Sequence, residues 1–161
     1  MTIALYAGSF DPITLGHLDI IENSSKIFEK VIIGVTINPN KKFLLPIEKR
    51  VELIKECTKK YSNIEVFSFD GLTVDFAKKH NATILIRGLR NSADFEYENQ
   101  LAQINATLNK DIKTIFLTSK PEYNFISSSA VKELLLYKQN ISNFVPKPVE
   151  EFFKKLYSLA N

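Results

Sequence analysis

The sequence has a single cysteine and no apolar run as long as a membrane span. Cys57 has no second cysteine to pair with, which excludes a disulfide-stabilised scaffold. A transmembrane helix needs about 20 apolar residues, whereas the longest apolar runs here have the length of a β-strand. The chain also does not open with the charged and then apolar segments of a secretion signal. We therefore expect a soluble protein of the reducing cytoplasm without a membrane partner.

The chain also lacks a strong excess of charge of one sign. Its 161 residues include 21 Lys and Arg and 18 Asp and Glu, so the formal net charge is +3. This surplus is too small for a protein that coats a polyanion, and we expect no nucleic-acid partner, although a local basic pocket could bind a phosphorylated small molecule. The hydrophobic fraction of 45% is enough for a buried core. The length predicts one domain over residues 1–161.

Short apolar runs alternate with amphipathic segments along the whole chain. The pattern predicts strands at residues 3–7, 31–37, 64–69, 83–86 and 113–117, and helices at 15–29, 47–61, 72–79, 92–108, 130–137 and from 148 onward. Parallel strands need crossover connections and are buried on both faces, so this order predicts an α/β, doubly wound fold with a mainly five-stranded parallel sheet. Ligands of such folds lie beyond the carboxyl ends of the strands, where the strand order reverses.

Helical spacing also predicts which side chains face the core. In the long helix at 92–108 we expect the core-facing residues Phe95, Leu101, Ile104 and Leu108. In the last helix the apolar side carries Val149, Phe152, Phe153, Leu156 and Tyr157. Cys57 shares a helix face with Val51 and Ile54, which favours core packing over thiol chemistry. His80 lies near the end of a short helix, where an imidazole can complement the helix dipole, so we expect a structural role for it.

The first predicted strand is followed by the segment GSFDPITLGH, residues 8–17. Gly8 and Gly16 permit close backbone approach, and His17 falls in the first turn of the next helix, whose amides can bind an anion. The segment therefore predicts phosphate binding. The alternative is an ordinary connection from a strand to a helix with one surface histidine. The segment lacks the lysine of a Walker loop and does not match the GxGxxG dinucleotide fingerprint.

This segment resembles GxFDPxxxGH, the signature of the nucleotidyltransferase superfamily. Three further segments, IRGLR at 86–90, DFEYE at 94–98 and FISSSAVKE at 125–133, resemble phosphopantetheine adenylyltransferase in order and spacing. The resemblance covers essentially the whole chain and implies a Rossmann-like nucleotidyltransferase fold. It also implies the transfer of the adenylyl group of ATP to 4′-phosphopantetheine, which gives dephospho-coenzyme A and pyrophosphate.

The resemblance implies roles for individual residues. The catalytic residues would be His17, Lys41 and Arg90, with His17 stabilising the transition state at the α-phosphate. The phosphopantetheine side would be bound by Ser9, Lys41, Thr73 and Arg87. The ATP site would comprise Ser9, Phe10, His17, Gly88, Leu89, Arg90, Glu98, Tyr123, Asn124, Phe125, Ile126, Ser127, Ser128 and Ser129. No metal-binding residues are implied: we expect Mg²⁺ to be carried with ATP, because a hard cation bound to phosphates needs few protein ligands. The family also implies a homohexamer.

Each of these residues has an ordinary alternative role. Lys41 stands beside Lys42 in a polar turn, Arg87 and Arg90 could be surface arginines, and the three serines could only cap a helix. A related enzyme that adenylates nicotinamide mononucleotide or cytidylates an alcohol phosphate would share the first motif, but not RGLR and DFEYE. A nucleotide sensor without catalysis would lack His17 or both arginines.

The chain departs from the family pattern at two positions. Ala7 stands where many members have proline, and Ala106 where many have arginine or lysine. The second departure removes a possible phosphate ligand, so the sequence predicts that Ala106→Arg lowers the KM for ATP.

Overall fold

A computed structural model describes residues 2–159, which form five strands and six α-helices. The strands are β1 (Ile3–Gly8), β2 (Lys30–Ile37), β3 (Ile64–Asp70), β4 (Ile84–Leu89) and β5 (Lys113–Thr118). The helices are α1 (Leu15–Ile27), α2 (Ile47–Thr58), α3 (Thr73–Lys79), α4 (Ser92–Leu108), α5 (Ser128–Leu136) and α6 (Lys147–Leu159). A short 3₁₀ helix, Pro121–Tyr123, follows β5. These elements occur in the predicted order.

All the neighbouring strands pair in parallel, in the order β3-β2-β1-β4-β5. The chain starts in the middle of the sheet, extends it to one side through β2 and β3, and then adds β4 and β5 on the other side. The strand order therefore reverses between β1 and β4. This arrangement confirms the predicted doubly wound α/β fold, and it marks the carboxyl ends of β1 and β4 as the place for a ligand.

The sheet is buried on both faces, and alternate residues of each strand face opposite sides. One face packs against α1, α2, α5 and α6, and its buried residues include Tyr6, Ile33, Ile86, Ile21, Ile54, Val131 and Val149. The other face packs against α3, and its buried residues include Leu5, Ile32, Leu85, Val74, Phe76 and Ala77. The continuous apolar runs of β1 and β2 follow from burial on both sides.

The predicted core face of α4 is wrong. The structure leaves Phe95 44%, Ile104 55% and Leu108 56% exposed, and only Leu101 is half-buried. None of the residues of α4 is buried, because α3 and the strands already build the core on this side of the sheet. Helical spacing places Leu101, Ile104 and Leu108 on one face of the helix and Phe95 on the opposite one, and it does not show what covers either face. Leu156, which was expected on the apolar side of α6, is also exposed, at 45%.

The structural roles expected for Cys57 and His80 are supported by their surroundings. Cys57 is buried in the core, and its burial raises the pKa of the thiol to about 12, so it stays protonated and unreactive at neutral pH. His80 ends α3 and packs against Phe76 and Phe67, with ring centroids 4.4 and 4.9 Å apart. None of the helices within residues 2–159 combines the length and the hydropathy of a membrane span.

Candidate active site

A cleft of about 320 Å³ opens where the strand order reverses. Its walls come from the ends of β1 and β4 and from the beginnings of α1, α4 and α5. Of the residues implied by the resemblance, the cleft contains Phe10, His17, Arg87, Gly88, Leu89, Arg90, Glu98, Ile126, Ser127, Ser128 and Ser129. A cleft of this volume is at the lower end of the range for small-molecule sites. The fold thus brings three distant sequence segments together at one site.

His17 is held by the first turn of α1. Thr14 is the N-cap residue: its Oγ1 accepts a hydrogen bond from the His17 amide at 3.4 Å, and its own amide donates to His17 Nδ1 at 3.1 Å. Because Nδ1 accepts this bond, the proton of the neutral imidazole is on Nε2. Burial, together with the charge of Arg90, lowers the pKa of His17 to about 4. At neutral pH the ring is therefore an uncharged hydrogen-bond donor fixed at the wall of the cleft.

The two glycines of the motif differ in how much space a β-carbon would have. A β-carbon at Gly8 would lie 3.2 Å from the ring of Phe10, which is too close for a comfortable contact. Phe10 has a φ of 47°, and its buried ring meets Tyr6 and His17 edge-on, with centroids 5.3 and 5.1 Å away. At Gly16 the nearest atom to a β-carbon would be 3.7 Å away, an ordinary contact. Close packing within the protein therefore accounts for Gly8 but not for Gly16.

A second helix begins at the cleft. Ser127 is the N-cap of α5, and its side chain accepts a hydrogen bond from the Ala130 amide at 3.1 Å. Ser128 donates from Oγ to the carbonyl of Pro12 at 2.9 Å, which joins α5 to the GSFDPITLGH segment. The amides at the start of a helix have no acceptors within the helix and favour anions. The starts of α1 and α5 therefore make this cleft suitable for phosphate groups.

The two arginines of the RGLR segment have different partners. Arg90 lies 40% exposed and donates from Nε to Asp94 Oδ2 at 3.1 Å and from Nη1 to the carbonyl of Ile126 at 3.4 Å. Arg87 is less exposed and forms a two-pronged ion pair with Glu98, in which Nη2 lies 2.7 Å from Oε1. The resemblance implies that Arg87 lies on the acceptor side and Glu98 on the ATP side. The structure joins them directly.

A smaller cavity of about 120 Å³ lies next to the cleft. It is lined by Thr73, Leu101, Ala102 and Asn105, and it shares Ala7 and Arg87 with the cleft. Arg87 also donates to the carbonyl of Ala7 at 3.2 Å. The two cavities therefore meet at Arg87, and Thr73, expected on the phosphopantetheine side, belongs to the smaller one.

Five of the expected site residues line neither cavity: Ser9, Lys41, Tyr123, Asn124 and Phe125. Lys41 is exposed on the loop of residues 38–46, which we call the β2–α2 loop. Phe125 is 67% exposed and packs edge-on against Phe144. Asn124 contacts Ser119 at 3.3 Å, and the carbonyl of Ser9 accepts a hydrogen bond from Arg50. The structure brings the other expected residues together around the two cavities.

Six residues that line the cleft were not expected from the sequence: Tyr6, Ala7, Thr14, Ile20, Asp94 and Ser119. Two of them had a signal in the sequence. Thr14 stands three residues before His17, the spacing of a helix cap, and Asp94 stands four residues after Arg90, the spacing of a helical ion pair. Ile20 and Ser119 had none, and Tyr6 looked like any apolar strand residue. Burial raises the pKa of Tyr6, so its phenol stays protonated.

The carboxylates at the cleft are already engaged. Asp94 accepts hydrogen bonds from the backbone and side chain of Arg90, and Glu98 is paired with Arg87. Within residues 2–159 there is no group of three or more His, Cys, Asp or Glu side chains that could hold a metal ion. This donor set fits a metal that arrives with phosphate oxygens better than one that the protein binds by itself.

Comparison with known proteins identifies the family. A family model described as cytidylyltransferase-like matches residues 5–134. A phosphopantetheine adenylyltransferase of Clostridium perfringens is 49% identical over 160 residues, which cover 99% of this chain and 98% of the relative. One of Gloeothece citriformis is 54% identical over 156 residues, which cover 97% of this chain and 99% of the relative. The chain belongs to the phosphopantetheine adenylyltransferase family.

Solved structures of low sequence identity share the fold of this adenylyltransferase family member. A Vibrio parahaemolyticus protein provisionally described as a nicotinate-nucleotide adenylyltransferase superposes with a TM-score of 0.70 at 20% identity, covering 93% of this chain and 91% of that one. A lipopolysaccharide core biosynthesis protein of Thermoplasma volcanium gives a TM-score of 0.56 at 19% identity, covering 74% of this chain and 98% of that one. These likenesses concern the fold alone.

Proposed function

We propose that this chain transfers the adenylyl group of ATP to 4′-phosphopantetheine, with dephospho-coenzyme A and pyrophosphate as products. The observation that carries the proposal is the convergence of His17, Arg90 and the starts of α1 and α5 on one cleft at the strand-order reversal. The names of its close relatives support the choice of substrates. The RGLR and DFEYE segments favoured this family over other members of the superfamily, and they supply the two ion pairs at the cleft.

The reaction needs no covalent intermediate on the protein. A phosphate oxygen of the acceptor forms a bond to the α-phosphorus of ATP, while the bond from that phosphorus to the pyrophosphate oxygen breaks. The protein has to hold two anionic groups in line and to stabilise the charge that develops between them. His17 suits this task because its Nε2–H is fixed by the Thr14 contact and requires no proton loss or gain at neutral pH.

The two cavities suggest how the substrates are arranged. ATP would occupy the larger cleft, with its phosphates near Arg90, His17 and the start of α5. The acceptor would enter by the smaller cavity, past Thr73, with its phosphate near Arg87. Lys41 would reach the acceptor phosphate from the β2–α2 loop. The resemblance implies a catalytic role for Lys41, whereas its exposure outside the cleft favours a role in binding the acceptor.

Magnesium is expected as part of the nucleotide substrate. Asp94 and Glu98 are paired with arginines, so the phosphate oxygens and water would supply most of its ligands. When bound, the ion neutralises part of the triphosphate charge. The residues of the chain then have to position the nucleotide and the acceptor.

The assembly and the location of the protein are part of the same proposal. A homohexamer, as the family implies, is supported by exposed apolar side chains on α4, including Phe95, Ile104 and Leu108. Native mass spectrometry should then give six times the mass of the chain. We place the protein in the reducing cytoplasm, because Cys57 is its single cysteine. The proposal includes no nucleic-acid or membrane partner.

The proposed function is tested by the release of pyrophosphate from ATP and Mg²⁺ with alternative acceptors. We expect 4′-phosphopantetheine to react about tenfold faster or more than nicotinamide mononucleotide, because buried polar groups that fit one acceptor reject another that leaves them unpaired. Equal or reversed rates would favour another member of the superfamily. Binding of ATP without turnover on either acceptor would favour a nucleotide sensor.

A further inference from the structure

Two buried charged side chains outside the cleft hold the β2–α2 loop. The first is Asp11, which is 1% exposed. Its Oδ2 accepts a hydrogen bond from the Leu44 amide at 2.7 Å, and its Oδ1 accepts one from the Leu45 amide at 2.8 Å. Lys132 of α5 lies 2.9 Å from Oδ2. The carboxylate therefore ties the end of the loop to the GSFDPITLGH segment and to α5.

The second is Arg50 of α2, which is 2% exposed. Its Nη1 donates to the carbonyl of Ser9 at 2.8 Å and to that of Thr36 at 3.1 Å. Its Nε donates to the carbonyl of Leu45 at 3.2 Å. The guanidinium carbon also lies 3.9 Å from the centre of the Phe43 ring. One side chain thus connects the loop to the end of β2 and to the residue after Gly8.

Together these contacts fix residues 43–45 from two sides. Asp11 holds the amides of Leu44 and Leu45, while Arg50 holds the Leu45 carbonyl and the Phe43 ring. Neither charged residue lines the cleft, so neither is placed to touch a substrate there. Burying a charge is costly unless it is well paired, and most of the contacts of these two side chains are directed at the β2–α2 loop or at the GSFDPITLGH segment. Lys41 and Lys42, just before the fixed residues, are exposed.

We propose that Asp11 and Arg50 are positioning residues that fix the β2–α2 loop so that Lys41 can meet the phosphate of the acceptor. This inference rests on the proposed function, because it takes Lys41 to bind the acceptor. It predicts that loosening the loop weakens acceptor binding much more than ATP binding. Arg50 is the better residue to change, because Asp11 also contacts α5 at the nucleotide side of the cleft.

The first test is the substitution Arg50→Lys. Lysine keeps the charge but lacks the planar fork, so it cannot serve the carbonyls of Ser9, Thr36 and Leu45 together and cannot stack on Phe43. We expect the KM for 4′-phosphopantetheine to rise about tenfold and the KM for ATP to change by less than about twofold. The control is Lys55→Met, an exposed change on the same helix, which should leave both constants unchanged.

A double-mutant cycle separates positioning from general structural support. If Arg50 acts through Lys41, Arg50→Lys should raise the acceptor KM by less than about twofold when Lys41 is already alanine. The same tenfold rise in both backgrounds, or an equal rise in the KM for ATP, would overturn the proposal. If Arg50→Lys does not fold, Phe43→Leu is measured in the same two backgrounds, because it removes the stacked ring without leaving a buried charge unpaired.

Limited digestion with trypsin tests the loop without using activity. Trypsin cleaves after Lys41 and Lys42. We expect Arg50→Lys to speed cleavage there about fivefold or more, because the β2–α2 loop detaches from the rest of the chain more often. Lys55→Met should not change this rate. If the cleavage rate of Arg50→Lys is unchanged, Arg50 does not hold the loop. Failure of the wild-type chain to adenylate 4′-phosphopantetheine would instead count against the proposed function, and the digestion would still report on the loop.

Discussion

In the proposed arrangement of substrates, helix starts hold His17 and Ser127 on the nucleotide side, whereas the acceptor side depends on a loop and on an arginine that is paired with Glu98. His17 is held by Thr14 at the start of α1, and Ser127 caps α5. On the acceptor side, Lys41 is exposed on the β2–α2 loop, and Arg87 is bound to Glu98. The two sides therefore differ in how much must move when a substrate arrives.

This difference matches the tasks of the two sides. Stabilising the developing charge at the α-phosphate requires donors that need no reorganisation during the reaction. In the proposed arrangement, the acceptor enters by the smaller cavity, which meets the cleft at Arg87. A loop that is fixed at residues 43–45 and exposed at Lys41 can admit the acceptor and still present a cation. We expect changes on the two sides to alter different kinetic constants.

The largest effect should come from His17→Ala. Removing one fixed donor to a developing anion typically lowers turnover by ~10²–10³. Pyrophosphate release measures the loss, and thermal unfolding shows whether the variant is folded. His80→Gln, a change of the other histidine on the opposite face of the sheet, should keep turnover near the wild-type value. Near-normal turnover in folded His17→Ala would remove His17 from the mechanism.

Lys41→Ala should act mainly on the acceptor. Losing a charge-assisted hydrogen bond to a phosphate corresponds to about 10- to 100-fold in binding, so the KM for 4′-phosphopantetheine should rise by that factor. The KM for ATP should stay within about twofold. Lys42→Ala is the matched control on the same loop. Equal effects of the two lysine substitutions would mean that the loop contributes only general positive charge.

Glu98→Gln tests the point where the two sides meet. It removes the carboxylate that holds Arg87, whose side chain is 29% exposed. We expect the free energy of unfolding to fall by about 1–3 kcal/mol, the range for hydrogen bonds to charged groups. Denaturant unfolding measures this change. Glu96→Gln, an exposed change on the same helix, should cost less than about 0.5 kcal/mol. Similar values for both would show that the ion pair contributes little to stability.

The low pKa of His17 predicts a specific pH dependence of stability. The folded chain holds the imidazole neutral down to about pH 4, while the unfolded chain binds a proton near 6.5. The unfolded state then binds more protons between these values, so stability is lost as pH falls through this window. Unfolding of the wild type and of His17→Gln at pH 7 and pH 4.5 should show the wild type losing more stability. Equal losses would mean that the pKa of His17 is ordinary.

The smallest effect should come from Ala106→Arg. The sequence alone predicts a lower KM for ATP, because the resemblance implies a cation at this position. The structure places Ala106 exposed on α4 and outside the cleft, about 12 Å along the helix axis from Glu98. We therefore expect the KM for ATP to change by less than about twofold. A clear decrease would support the expectation from the sequence.

The sequence predicted those features of the fold and the site that depend on a single periodicity or a single motif. Continuous apolar runs predicted the doubly buried parallel strands, and GSFDPITLGH placed His17 correctly in the first turn of α1. The sequence did not predict contacts between residues that only the folded chain brings together. Nothing in the order of residues shows that Arg87 pairs with Glu98, because that contact depends on how α4 crosses the end of β4.

The exposed face of α4 shows the same limit. The spacing of Ile104 and Leu108 predicts a common apolar face, but not whether this chain or another molecule covers it. Asp11 and Arg50 are a further example, because charged residues in a sequence suggest exposure. Their burial follows from backbone amides and carbonyls of the β2–α2 loop that only the folded chain brings to them.

If fixed groups on the nucleotide side set the rate of adenylyl transfer and the loop on the acceptor side sets acceptor binding, saturating acceptor should rescue a change in the loop but not a change of His17. The measurement is single-turnover formation of dephospho-coenzyme A at saturating 4′-phosphopantetheine. We expect Lys41→Ala to recover to within about threefold of the wild-type rate, and His17→Ala to remain ~10²–10³ slower. Recovery of His17→Ala at saturating acceptor, or a persistent large defect in Lys41→Ala, would contradict this division.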